Sequence, residues 1–91
     1  MEKGTLIQVK TKTKDDTFGE VVYEIMETGL IAADGGNDGV KAVMIGGNGP
    51  SARKGYTVMD TERNIRSDIA KGITKIVPRS RVGAIKGFYN K

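Results

Sequence analysis

Apolar stretches in this chain are short, mostly alternate with period two, and stop at glycine, proline or paired aspartates. With 13 glycines among 91 residues, such breaks cut the chain into pieces of strand length, and alternation is the pattern of a strand with one face toward a core. The expected fold is therefore mainly β. Thr5 to Lys12 sets Ile7, Val9 and Thr11 on one face and Gln8, Lys10 and Lys12 on the other, with Leu6 as an apolar exception. Lysines along the solvent side of a strand discourage edge-to-edge pairing, which is the plain reading of Lys10, Lys12 and Lys14.

Asp15 and Asp16 offer a turn, and Phe18 to Met26 reads as a second strand, with Val21, Tyr23 and Ile25 opposite Val22, Glu24 and Met26. Two strands across a short polar link predict a meander. Thr28 and Gly29 interrupt the pattern, Leu30 to Ala33 resumes it, and the run from Asp34 to Gly39 breaks it. Val40 to Ile45 and Tyr56 to Met59 are the next strands, joined by the glycine-rich segment 46–55. Ile73 to Val77 is a short strand closed by Pro78, which cannot donate to a ladder.

Residues 60–72 admit two readings. A hairpin places Thr61 to Asn64 in a turn, with Ile65, Ser67 and Ile69 along one strand face. A helix over about 61–71 uses Asp60 as N-cap, Ile65 and Ile69 as its apolar face, Lys71 in the last turn and Gly72 as terminator. The thin apolar face favours the hairpin. After Pro78, Ser80 can cap a short helix from Arg81 to about Asn90, with Val82, Ile85, Phe88 and Tyr89 at helical spacing. Gly83 and Gly87 would let one side of it approach another backbone closely. The whole is read as one domain over residues 1–91: a small SH3-like or OB-like, partly open barrel or roll of five to six short strands with a C-terminal helix. Such a fold assigns no function by itself.

The chain has no cysteine and no histidine, which excludes disulfides, thiolate or imidazole metal ligands, Cys nucleophiles and Ser/His relays. The carboxylates are scattered, and spacing forces none into a pair. Neither catalysis, nor a metal, nor a cofactor follows from the sequence, and the chain is read as a non-enzyme. No apolar run approaches the roughly 20 residues of a membrane span, and Met1 to Gly4 lead directly into a strand pattern. Lack of cysteine and of a leader pattern fits the cytoplasm.

Charge carries the clearest functional signal. Residues 1–45 hold eight acids and five bases, residues 46–91 three acids and ten bases, and no acid follows Asp68. Separated signs steer an anionic partner toward one end. The expected contacts are Arg53, Lys54, Arg63, Arg66, Lys75, Arg79 and Arg81, all able to meet nucleic-acid phosphates without reading sequence. In the segment 46–55, backbone N–H groups near Gly47, Gly49 and Ser51 can turn toward an anion that Arg53 and Lys54 neutralise. Gly47, Gly49 and Ala52 match the spacing of a dinucleotide fingerprint, but Pro50 and Gly55 bracket the turn and no helix is expected to start there. The aspartates between residues 34 and 39 lack the alternating ligands of a calcium loop. Tyr23, Tyr56 and Tyr89 read as core or rim aromatics.

Two functions follow as expectations. One is a small binding module on the nucleic-acid backbone. The other is a protein-interaction module, a regulator, inhibitor or assembly subunit, that docks an acidic protein surface or a second copy through a strand edge or the face carrying Gly83 and Gly87.

Overall fold

A computed structural model describes residues 1–12, 18–48 and 53–84 of the chain. Strands β1 (Leu6–Lys12), β2 (Phe18–Leu30), β3 (Gly39–Gly47), β4 (Thr57–Thr61) and β5 (Thr74–Val77) form one antiparallel sheet in the order β4-β3-β2-β1-β5. Helix α1 (Glu62–Ala70) links the two edge strands β4 and β5, and a 3-10 turn (Arg79–Ala84) follows β5. The sheet does not close on itself.

The predicted meander of β1 and β2 is present, but β1 lies between β2 and β5. β5 flanks β1 only from Leu6 to Val9, with Lys10 N donating to Ile73 O, so Lys12 lies past the end of that pairing, and Lys14 is outside the described residues. Leu6, the exception to the alternation, has a partner of its own. Consecutive strand residues point to opposite faces, yet Leu6 and Ile7 are both buried, as are Val21 and Val22. Both faces of the sheet are thus covered. Ile7, Ile25, Val40 and Ala42 pack against Ile65 of α1 on one side, and Leu6 and Val22 pack against Val82 of the 3-10 turn on the other. Burying side chains such as Ile25 and Val22 contributes about 1.5–3 kcal/mol each.

Strand β2 runs through Thr28 and Gly29 instead of stopping there. The register against β3 slips between Val22 and Tyr23, between Ile25 and Glu27, and between Glu27 and Leu30, and such bulges bend a strand while keeping it paired. Gly29 takes the last slip at φ +68°. Gly39 is required for a different reason, since a Cβ there would lie 2.6 Å from the Leu30 carbonyl oxygen.

Residues 62–70 are helical, which overturns the preferred hairpin. The ends decide it. Thr61, not Asp60, is the N-cap and accepts a hydrogen bond from Asn64 N at 3.1 Å. Asp38 satisfies two more free N–H groups, with its carbonyl accepting from Glu62 N and its carboxylate from Arg63 N. At the other end Gly72 N donates to Ile69 O and Ile73 N to Asp68 O, with Gly72 at φ +79°. Those two bonds are a Schellman closure. The thin apolar face suffices because Ile65 and Ile69 settle on a sheet surface that is already apolar.

Beyond Pro78 the expected helix begins as the 3-10 turn, and Ser80 lies inside its first turn instead of capping it. Residues 85–91, including Gly87 and Tyr89, are outside the described residues.

Candidate functional site

β5 and the 3-10 turn bring three of the expected contacts to one face of the sheet. In the β1–β5 register Lys75 lies opposite Gln8, and Val77 opposite Leu6, so Lys75 shares the face of Leu6 and Val22. Pro78 ends the strand, its carbonyl accepts from Arg81 N at 2.9 Å, and buried Val82 fastens the turn to the sheet. The result is an open groove of about 560 Å³ lined by Gln8, Glu20, Lys75, Val77, Pro78 and Arg81. Lys75 and Arg81 are exposed, and no carboxylate among the described residues pairs with either. Arg79, beside the groove, is 3.2 Å from Glu24.

The floor of the groove is polar by construction. Gln8 is buried, 6 % exposed, and its Nε2 donates to Glu20 Oε2 at 2.5 Å. That bond satisfies an amide whose burial without a partner is costly. Glu20 and Glu24 belong to the acidic half of the chain, so the separation of charge along the sequence is partly undone in space. Sequence spacing joins neither of them to the C-terminal bases, which only the pairing of strands brings near.

Arg63 and Arg66 stand elsewhere. Both belong to α1, which covers the opposite face of the sheet, and both are engaged: Arg63 with Asp34 at 2.5 Å and Asp38 at 4.0 Å, and Arg66 with Glu62 at 3.1 Å. Asp34 also accepts from Gly36 N. That backbone bond, followed by the Arg63 partnership, holds its carboxyl below the ordinary carboxylate range, and Asp34 in turn raises Arg63. Glu62 is lowered first by the N-terminal ammonium of Met1 and then by Arg66. The loop between β2 and β3 is tied to α1 through these pairs.

Arg53 and Lys54 form a third location, the exposed turn before β4. Arg53 N donates to Met44 Sδ at 2.9 Å, Gly55 N to Met44 O at 2.8 Å, and Tyr56 N to Arg53 O at 3.2 Å. Tyr56 beside them is 55 % exposed. Gly47 is not a loop residue, being buried in β3 opposite Val21. Gly49, Ser51 and Ala52 lie outside the described residues. Asn48 is locked to β2 by reciprocal bonds, its N to Glu20 O and its Oδ1 from Glu20 N.

A second cavity, about 220 Å³, lies between α1 and the sheet. Ile7, Val40, Ala42, Val58 and Ile65 make it apolar, and Tyr23, Asp60, Asp68 and Thr74 supply its polar groups. Partial burial, with neighbouring Tyr56 a smaller cause, raises the Tyr23 phenol. At about 24 cal/mol per Å³, such a volume left closed and empty costs about 5 kcal/mol as an upper bound. That is comparable to the lower end of the roughly 5–15 kcal/mol stability of a whole domain. Glu24 pairs with Arg79, whereas Asp60 lines this cavity.

No family model, curated protein or solved structure matches this chain.

Proposed function

We propose that the chain is a small non-catalytic binding module for polyanions, with nucleic-acid backbone as its partner, and that the β5 groove is its contact surface. One observation carries the reading: Lys75 and Arg81 line an open groove, and no carboxylate among the described residues pairs with either. Phosphates entering it gain charge-assisted hydrogen bonds without first displacing an ion pair. Arg79 adds to them by exchanging Glu24 for phosphate, and Arg53 and Lys54 extend the contact on a longer strand. Arg63 and Arg66 are assigned instead to holding the 34–38 loop and the first turn of α1. As to fold type, β1 to β4 form a meander and β5 returns to β1, which favours an SH3-like roll over the Greek-key path of an OB barrel.

A second reading, docking of an acidic protein segment along β5, is favoured by one specific observation. Ile76 of this edge strand and Ile73 just before it are 54 % and 42 % exposed, and an added strand would cover them. Mobility-shift titrations at low salt with a 20-nucleotide single strand, a duplex of equal length and a polyglutamate peptide separate the two. Retardation by the nucleic acids, weakened by Lys75→Gln and Arg81→Gln, supports the first reading. Binding of polyglutamate alone replaces it with the second, and binding of none of the three removes both.

A further inference from the structure

We infer that the cavity between α1 and the sheet is a binding site for a small amphiphilic cation, an alkyl or aryl ammonium. Its apolar part lies against Ile7, Ala42 and Ile65 and its ammonium meets Asp68. Size comes first. A dry apolar cavity of about 150 Å³ holds a benzene ring, so about 220 Å³ takes a ring with one further carbon and a nitrogen.

The polar lining gives the sign. Asp68 stands three residues after Ile65 and one before Ile69, hence on the inward side of α1, and no hydrogen bond or ion pair engages its carboxylate among the described residues. It also occupies the last turn of α1, which contains no base, and a helix C-terminus disfavours negative charge. A cation beside it answers both conditions. Asp60, the other carboxylate of the lining, already accepts from Thr61 N at 2.7 Å and Asn64 Nδ2 at 3.1 Å through Oδ1, leaving Oδ2 for a second contact.

Thr74 adds a second polar group to the wall. It is 4 % exposed and lines the same cavity, where its hydroxyl oxygen can accept a hydrogen bond. An ammonium, with three donors and no acceptor, satisfies the Thr74 oxygen and the Asp68 carboxylate together, which a neutral hydrocarbon cannot do.

The probe is benzylammonium, titrated into isotopically labelled protein at fixed ionic strength and followed by amide NMR, with benzyl alcohol and benzoate as controls. Benzylammonium is expected to shift amides of Ala42, Ile65, Asp68 and Thr74, and to bind about tenfold or more tightly than benzyl alcohol, the factor set by one charge-assisted contact. Asp68→Asn should erase that preference, and Thr74→Val should weaken binding while leaving benzyl alcohol unaffected. Ala42→Ile, which fills the cavity, should abolish binding of both; the isosteric Asp68→Asn variant keeps the test decisive if that strand does not tolerate isoleucine. A Gly-Lys-Gly peptide distinguishes a free amine from a lysine side chain, and its binding with the same shifts supports the site with lysine as the source. Equal affinity for benzylammonium and benzyl alcohol, shifts confined to other residues, or no binding of either cation would overturn the inference.

Discussion

Arg79 Nη2 stands 3.2 Å from Glu24 Oε1, joining the acid-free C-terminal part of the chain to the acidic N-terminal half across the sheet face. The pair has a functional consequence. If the groove binds phosphate, Glu24 competes with the ligand for Arg79. Glu24→Gln should therefore tighten nucleic-acid binding severalfold and steepen its salt dependence by about one counterion, while leaving the melting temperature nearly unchanged. Fluorescence anisotropy over a salt series, beside a thermal melt, checks both halves.

Helix α1 depends on its ends more than on its face. Thr61→Ala removes the acceptor for Asn64 N and should cost about 1 kcal/mol. Gly72→Ala forces a side chain to φ +79° and should cost about 1 kcal/mol or more. Urea unfolding of both variants, with unchanged m-values, measures these losses.

Gly39 has no tolerance for a side chain. A Cβ there meets the Leu30 carbonyl oxygen at 2.6 Å, so Gly39→Ala must separate β2 from β3 at their bulged end. The expected loss is about 2 kcal/mol or more, by analogy with overpacked cores. Faster hydrogen exchange of the Leu30 and Val40 amides should accompany it.

Acid should weaken the fold through Asp34 and Glu62. Both are held below their ordinary values of 3.8 and 4.5, so each adds stability that is complete above its ordinary value. That contribution is lost as pH falls through the lower folded value. Stability measured from about pH 5 downward should decline, and the double variant Asp34→Asn, Glu62→Gln should flatten that decline. An unchanged acid limb in the double variant would show that other carboxylates carry it.

Much of the fold is legible in the sequence because alternation and glycine breaks are local signals. The strands containing Ile7, Val21, Val43, Val58 and Ile76 and the meander of the first two can be read directly. What escapes is decided by partners distant in sequence. Leu6 reads as an error in an alternating strand until Val82 is brought onto it. Thr28 and Gly29 read as a strand end because a bulge and a turn use the same residue types. The helix at 62–70 is hidden by its two-residue apolar face, although Thr61 and Gly72, eleven residues apart in the chain, mark both ends. Of the expected contacts, Lys75, Arg79 and Arg81 meet because one short strand and the turn after it carry all three. Arg63 and Arg66 are separated from them by the thickness of the sheet, which charge counting along a chain cannot register.

The central claim is that Lys75 and Arg81 are the phosphate contacts, and the most direct measurement is the salt dependence of duplex binding for the native chain and the Lys75→Gln, Arg81→Gln double variant. Each phosphate contact contributes about 0.9 to the slope of log K against log salt. The double variant should therefore bind more weakly at every salt and lose about 1.8 from the slope, while Arg63→Gln leaves the slope unchanged. A slope equal in the native chain and the double variant, or one lowered as much by Arg63→Gln, would contradict the account.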